Sequence, residues 1–337
     1  NLTNADQLSI GAGGGLVASG TLTNEGTGTL TFANAGTLSA GGAAQGTVTN
    51  QGALTVTSGI VTTDGDAGGA ADVLDVIANT GTIMVTAGEL EFATLNSSAG
   101  LITSAGELDG NVNLTGTAGL DLNAGGSISG TLDNQSSTAI TLAGDVDGAF
   151  TQQTTAGAQT TVDGAMTFGD IVDVDAGTLI IGAATTATGA VTVDGAGTEL
   201  AVNDGQTLTL TVGDITVGGT TPGATLDVDG SVAGGGILVT DGTLELGDGA
   251  GTTAVAGNVQ FDAGTATFTG PVDIDGTLDV NGATSLSFAG AVMANVVDIE
   301  DTADADVTVA AGSVITADAG NLTNADQLSI GAGGGLV

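Results

Sequence analysis

The stretch that decides the fold begins with Leu22-Thr23-Asn24-Glu25-Gly26 and continues through Thr29-Leu30-Thr31-Phe32. Its first five residues are an apolar residue, any residue, Asn, any residue and Gly. Asn and Gly tolerate the backbone angles of tight turns. The last four residues alternate Thr with apolar side chains, which is the pattern of a short strand with one buried face. The phrase therefore predicts a turn followed by a strand.

The phrase recurs along the chain, and its turn residue changes from Asn to Asp after about residue 140. Both Asn-Gly and Asp-Gly favour positive backbone φ, so we expect similar corners of different charge. The Asn forms are Phe32–Gly36, Val48–Gly52 and Ile77–Gly81, with degenerate forms at Asn4 and Asn134; the Asp forms include 146–148, 162–164, 193–195, 228–230 and 274–276, and Asn281-Gly282 keeps the amide.

These corners predict an all-β fold, a right-handed parallel β-solenoid. A β-sandwich would show similar corners, but sandwich domains usually have aromatic cores and about one hundred residues. Here the corners continue for 320 residues without a boundary or linker, which favours one continuous body. With about 20 residues per rung and rungs about 4.8 Å apart, we expect roughly sixteen rungs and about 75 Å of fibre. Apolar side chains should point inward, Thr, Ser and Asp outward, and corner Asn residues should form a ladder. A trimeric fibre, with stacking between chains, remains an alternative.

The first seventeen residues, Asn1–Val17, return unchanged as Asn321–Val337. We interpret residues 1–320 as one β-solenoid repeat unit and 321–337 as the start of the next identical unit. An engineered duplication or a circular permutant would give the same string. With no initiator Met or signal peptide, we expect an internal segment of a longer tandem array. Its uncapped ends should expose β edges, so an isolated fragment should associate end to end.

Composition narrows the function. The chain has no Lys, Arg, His, Cys, Trp or Tyr, and its 38 Asp and Glu residues give a formal charge of −38. A chain without basic residues cannot neutralise phosphates or anionic lipid, so we expect no nucleic-acid partner and no membrane insertion. Only carboxylates and hydroxyls remain for catalysis, which argues against an enzyme; carboxylate pairs of the glycosidase type are the strongest case for one. The mean hydropathy of +0.38 and the alternating runs argue against disorder.

The apolar-x-Asn-x-Gly phrase, the Gly-, Thr- and Ala-rich composition and the tandem repeat resemble the repeats of filamentous-haemagglutinin-type and autotransporter-type adhesins. The resemblance covers most of the chain but rests on short, degenerate motifs. It implies a β-solenoid exported to the bacterial cell surface that serves as a stalk, adhesin or matrix component. The chain departs from that class in having no basic residue, which places receptor binding in doubt.

One acidic stretch is similar to a calcium-binding loop. Counted from Asp64, carboxylates occupy positions 1, 3, 9 and 12, and Gly69 stands at the obligatory position 6. Position 5 is Gly instead of Asp or Asn, and position 12 is Asp instead of a bidentate Glu. The alternative is a plain acidic loop bulging from a rung. The candidate metal ligands are Asp64, Asp66, Asp72 and Asp75.

A second acidic cluster lies near the C-terminal end of the chain, and its carboxylates must repel or bind a divalent cation. The alternative is a solvated acidic surface. The D-x-D-G phrases at 145–148, 227–230 and 273–276 should place two carboxylates on one side of a strand about 7 Å apart. We expect Ca²⁺ as the only cofactor. The candidate ligands of the second cluster are Asp298, Glu300, Asp301, Asp304 and Asp306.

These observations favour a structural protein: a repeat of an extracellular filament, as in an adhesin stalk or a biofilm matrix. Its partners would be copies of itself, joined end to end or laterally, and divalent cations. An ice-binding or surface-binding β-solenoid is the alternative, because runs such as Thr207-Leu208-Thr209-Leu210-Thr211 present outward hydroxyls.

Overall fold

The computed structural model describes residues 1–41, 44–64, 74–153, 158–219, 222–282, 285–299, 306–324 and 328–337. The chain is all-β, with parallel strands stacked about 21 residues apart as a β-solenoid. It divides into two compact units, Asn1–Gly169 and Asp170–Val337. The β-solenoid predicted from the sequence is confirmed. Among the described residues, no helix occurs that could cross a membrane.

The described part of the first unit contains 22 strands. They are β1 (Leu2–Asn4), β2 (Gln7–Ile10), β3 (Gly14–Ala18), β4 (Leu22–Asn24), β5 (Thr29–Phe32), β6 (Gly36–Ala40), β7 (Thr47–Asn50), β8 (Ala53–Val56), β9 (Ile60–Thr62), β10 (Val76–Asn79), β11 (Thr82–Val85), β12 (Glu89–Ser97), β13 (Leu101–Ser104), β14 (Glu107–Leu114), β15 (Gly119–Leu122), β16 (Ser127–Ile128), β17 (Leu132–Asn134), β18 (Ile140–Leu142), β19 (Asp145–Val146), β20 (Phe150–Gln153), β21 (Gln159–Val162) and β22 (Met166–Phe168).

The second unit also contains 22 strands in its described ranges. They are β23 (Val172–Ala176), β24 (Thr178–Ile181), β25 (Thr185–Ala187), β26 (Val191–Val193), β27 (Glu199–Val202), β28 (Thr207–Leu210), β29 (Ile215–Val217), β30 (Ala224–Val228), β31 (Ser231–Ala233), β32 (Ile237–Val239), β33 (Gly242–Leu246), β34 (Thr253–Val255), β35 (Val259–Phe261), β36 (Thr265–Phe268), β37 (Val272–Val280), β38 (Ser285–Phe288), β39 (Val292–Ile299), β40 (Asp306–Val309), β41 (Val314–Ala317), β42 (Leu322–Asn324), β43 (Leu328–Ile330) and β44 (Gly335–Leu336).

Each turn of the coil contributes three strands, and each strand pairs with its counterpart one turn later. In the first unit β1 pairs with β4, β2 with β5 and β3 with β6. We call the three resulting stacks face 1, face 2 and face 3, in that order. The same rule holds in the second unit, where β23 pairs with β26 on face 1, β24 with β27 on face 2 and β25 with β28 on face 3. The long strands β12, β14, β37 and β39 run from face 3 into face 1.

The interior is made of the apolar residues that alternate along the strands. Leu22, Leu30 and Leu38, one from each face of the same turn, are at most 1% exposed. All seven Phe side chains are fully buried, and the rings of Phe268 and Phe288 stack one turn apart with centroids 4.6 Å from each other. Parallel strands in register place like residues on like, so each turn buries its apolar side chains against the next.

A ladder of buried Asn side chains runs along face 1 of the first unit. The side-chain amide of Asn4 donates to Asn24 (2.8 Å), that of Asn24 to Asn50 (2.8 Å), and that of Asn50 to Asn79 (2.7 Å). Asn79 donates to the Ser97 hydroxyl at 2.9 Å. The ladder expected from the repeated Asn is therefore present, and Asn24, Asn50 and Asn79 each accept and donate along it. Asn34 of the second phrase is exposed and lies outside it.

Candidate functional site

Three carboxylates of the second unit, Asp227, Asp229 and Asp248, come together at one corner, which we call the acidic triad. One carboxylate oxygen from each residue lies within 4.8 Å of the other two. Asp227 lies on β30 and pairs in register with Glu245 on β33, so a fourth carboxylate stands on the next strand. This is the group of potential metal ligands found among the described residues.

Glycines at the corner allow the three carboxylates to approach. Asp229 follows β30, and Gly247, with φ of +78°, turns the chain after β33. Asp248 comes next, and the Gly249 amide donates to Asp229 Oδ1 at 2.9 Å. A Cβ at Gly249 would stand 3.2 Å from the Asp229 Cβ and 3.3 Å from the Asp204 Cβ. Larger residues at these two glycines would push the turns apart.

Asp227 is the most perturbed carboxyl of the triad. Burial, together with the charges of Asp229, Asp248, Glu245 and Glu199, raises its pKa to about 7. Its Oδ1 is buried, and no residue in the described part of the chain forms a hydrogen bond with it. An ionised carboxylate in this position lacks the donors that would stabilise it, so near neutral pH the residue is divided between its charged and neutral forms.

Asp229 is perturbed by the same neighbourhood. Burial, followed by a hydrogen bond with Asp248 and the charge of Asp248, raises its pKa to about 6. The backbone amides of Gly249 and Asp248 act in the opposite direction because they donate to the carboxylate. The same geometry suits a hard cation that replaces the proton on Asp229.

Chemically, the triad offers oxygen ligands and no nitrogen or sulfur. Such a set suits Ca²⁺ or Mg²⁺ and not the softer transition metals. Oxygens that all contact one Ca²⁺ at 2.3–2.6 Å lie within about 5 Å of one another, which the triad satisfies. Because the ligands must be ionised, protons compete with the cation at pH values near 6 to 7.

The predicted calcium loop has a different environment at its two described ligands, while Asp66 and Asp72 lie outside the described residues. Asp75 is fully buried and accepts hydrogen bonds from the Ser39 hydroxyl at 2.8 Å and the Ala40 amide at 2.6 Å. The Gly46 amide also donates to it, at 2.5 Å. Its carboxylate therefore ties two neighbouring turns together. Asp64 is buried and lines an open groove of about 410 Å³ that also contains Glu91.

The second predicted cluster is divided between two faces. Asp298 lies on face 1 and Asp306 on face 2, while Glu300, Asp301 and Asp304 lie outside the described residues. Asp298 pairs in register with Asp279. Burial, followed by the charges of Asp298 and Asp262, raises the pKa of Asp279, and a hydrogen bond from Asn281 lowers it.

The three D-x-D-G phrases differ in what stacks on them. Asp145 pairs with Ser127, and Asp273 pairs with Ala254 and Met293, none of which is ionisable. The Asp227–Asp229 phrase alone among the three is joined by another Asp in a group of potential ligands. The sequence showed the Asp227–Asp229 phrase. It did not show that Asp248 joins the phrase, because Asp248 comes from the next turn of the coil and is brought close by the turn at Gly247.

A second acidic patch lies on face 3 of the first unit. In register, Glu89 pairs with Glu107 and Glu91 with Asp109. Burial raises the pKa of Glu89, as do the charges of Glu107, Asp109 and Glu91. The signal was present in the sequence as Glu-Leu-Glu followed by Glu-Leu-Asp one turn later, but no residue type distinguished it from an ordinary exposed strand.

Comparison with known proteins gives no relative: no family model, no curated protein and no solved structure matches the chain. The function is therefore inferred from the geometry of the solenoid and of its acidic corners.

Proposed function

We propose that this chain is a structural repeat of an extracellular, fibre-forming protein of the bacterial surface, such as an adhesin stalk or a matrix filament. The observation that carries the proposal is the in-register stacking of the seventeen-residue copies. Residues 1–17 pair with the turn that follows them, and residues 321–337 pair with the turn that precedes them. One copy of the seventeen residues, placed between two 320-residue repeats, can therefore make both sets of contacts.

The interior supports a mechanical role. Its strands are short, its buried side chains are mostly Leu, Val, Ile and Ala, and the Asn ladder links four successive turns by side-chain hydrogen bonds. Backbone ladders that run from turn to turn resist extension along the coil, and repeat proteins add stability with each interface between neighbours.

The acidic surface supports a second part of the proposal, in which divalent cations join fibres. The formal charge of −38 has no basic side chain to offset it, so like-charged chains repel until cations bind. The acidic triad brings three carboxylate oxygens within 4.8 Å of one another, close enough for a shared cation. Light scattering with Ca²⁺ and with a chelator tests this part, and equal scattering in both would reject it.

The experiment for the main proposal compares one 320-residue repeat with two such repeats joined through a single shared copy of the seventeen residues. Electron microscopy should show a particle about 75 Å longer for each added 320-residue repeat, because turns stack about 4.8 Å apart. Unfolding should remain cooperative across the joint. Two joined repeats that unfold independently, or a joined particle no longer than a single repeat, would contradict the proposal.

Ice or surface binding is a second candidate because hydroxyls form columns on face 2 of the second unit. Thr265 and Thr267 pair in register with Ser285 and Ser287, and the Thr243 and Thr265 hydroxyls are 3.2 Å apart. Flat hydroxyl columns can order water. Thermal hysteresis in the unaltered chain, lost in Thr267→Glu, is the expected result; its absence in the unaltered chain would remove this candidate.

A further inference from the structure

The seventeen-residue segment is found in two pairing environments in the same molecule. As residues 1–17 it forms β1, β2 and β3, where Leu2 pairs with Leu22 and Leu16 with Leu38. As residues 321–337 it forms β42, β43 and β44, where Leu322 pairs with Val297 and Leu336 with Ile315. The identical sequence thus fits two surfaces. The leading surface is residues 22–40, and the trailing surface is strands β39, β40 and β41.

The two surfaces approach the segment from opposite edges. The leading surface belongs to the turn that follows the segment, the trailing surface belongs to the turn that precedes it, and a parallel strand has one edge for each. The contacts made by one copy therefore leave free the edge used by the other copy. A single copy can lie between both surfaces without any new kind of contact.

Side-chain exposure differs between the two copies of the segment. Leu2 and Leu16 are half-buried, while their partners Leu22 and Leu38 are fully buried. Ile10 is 8% exposed in the first copy, whereas the equivalent Ile330 is 47% exposed in the second. The equivalent isoleucine is therefore covered in the first copy and exposed in the second.

We propose that the segment is an exchangeable rung through which two copies of this chain join. In the joint, the trailing surface of one copy and the leading surface of the other pack on opposite edges of one shared seventeen-residue rung, and the redundant rung is displaced. The partner is a second copy of this chain. The inference rests on the proposed stacking function and specifies the register of its joint.

The register gives the joint a signature that a disulfide can report. When residues 1–17 of a second copy provide the shared rung, its Thr3 takes the place of Thr323 and stands opposite Asp298 of the first copy. Adjacent parallel strands place paired Cα atoms within the 4.4–6.8 Å span of disulfides. Because the chain contains no Cys, Thr3→Cys with Asp298→Cys introduces the only two thiols.

The experiment uses the full chain with this reporter pair and releases one rung at a time. Leu322→Asp with Leu336→Asp releases residues 321–337, and Leu2→Asp with Leu16→Asp is the matched release of residues 1–17. In the unreleased reporter the tethered rung competes at about millimolar effective concentration, so at about 10 µM we expect about one chain in a hundred to be cross-linked.

Releasing residues 321–337 should raise the disulfide-linked fraction at least about tenfold, because the tethered competitor is removed. Releasing residues 1–17 should give oligomers by sedimentation without this disulfide, since residues 321–337 then form the shared rung. Releasing both copies should leave monomers. Circular dichroism checks that each variant keeps its strands.

A free peptide of residues 1–17 provides a second measurement that needs no assembly between chains. Carrying Thr3→Cys, it should cross-link to the released Asp298→Cys chain and block oligomers, whereas the same peptide with Leu2→Asp and Leu16→Asp should not. Failure of the peptide to cross-link, or oligomers of equal extent after both copies are released, would overturn the proposal. Such a failure leaves the length test of joined units unaffected, so the two proposals can be told apart.

Discussion

The Asn ladder of the first unit and the acidic triad of the second unit differ in how their stacked polar side chains find hydrogen-bond partners. Both stack polar side chains from successive turns at a corner. Asn24 lies between two amides at 2.8 Å, donating to one and accepting from the other. The ionised Asp227 carboxylate offers only acceptors, and no donor among the described residues reaches its buried Oδ1. An amide can stack on its own kind, whereas a carboxylate needs a proton or a cation to do so.

The largest expected effect is that of Asn50→Asp, which replaces an amide inside the ladder with a carboxylate. The new side chain cannot donate to Asn79, and its charge is buried. We expect the free energy of unfolding to fall by about 3 kcal/mol at pH 8, with part of the loss recovered at pH 4 as the carboxyl is protonated. Urea unfolding at both pH values measures this.

The matched control is Asn96→Asp, because Asn96 is exposed and accepts a hydrogen bond from Asn113 at 2.9 Å. A carboxylate keeps that acceptor, so the control should change stability little. Equal losses in the two variants would show that the ladder is no more sensitive to charge than the surface.

Calcium should have the next largest effect, through the acidic triad. At a concentration tenfold above its dissociation constant, Ca²⁺ adds about 1.4 kcal/mol to stability. The gain should be smaller at pH 5.5 than at pH 8, because protons on Asp227 and Asp229 compete with the cation. Thermal melts with Ca²⁺ and with a chelator, in the unaltered chain and in Asp248→Asn, measure it. A gain that persists in Asp248→Asn would locate the cation elsewhere.

The smallest expected effect is that of Asp227→Asn, which turns one carboxylate of the triad into an amide. The pKa of Asp227 is about 7 when folded, against an ordinary value of 3.8. The folded chain therefore keeps a proton that the unfolded chain loses, and stability contributed below pH 4 is lost as pH rises through about 7.

The Asp227→Asn substitution would remove this dependence, since an amide does not titrate. We expect a gain of about 1 kcal/mol at pH 8, discounted for partial exposure to solvent, which corresponds to about 1–2 °C in the melting temperature of a chain of 337 residues. Asp273→Asn is the control, because Asp273 occupies the same place in its D-x-D-G phrase without a carboxylate opposite it in register. Parallel pH profiles for the variant and the unaltered chain would contradict the assignment.

Much of the fold could be predicted because it depends on local alternation. Thr29-Leu30-Thr31-Phe32 alternates as expected, with Leu30 and Phe32 buried, and the repeated Asn of the turn phrase forms the ladder. The sites depend on where the coil turns, which alternation does not specify. Asp75 resembled a loop ligand, but its carboxylate is buried among hydrogen-bond donors. Asp298 and Asp306 were close in sequence, but they lie on different faces.

The hydrogen bonds of the Asn ladder give the first unit a direction. Every amide donates toward the C-terminal end of the chain, and the Ser97 hydroxyl ends the series by donating to the Ala99 carbonyl at 3.1 Å. The aligned amide dipoles are therefore polar in one sense, and a turn stacked in reverse would oppose donor to donor. In the register of residues 321–337, the residue opposite Asn324 is Ile299, which has no side-chain donor. The Asn ladder of the first unit therefore runs in one direction, from Asn4 to Ser97.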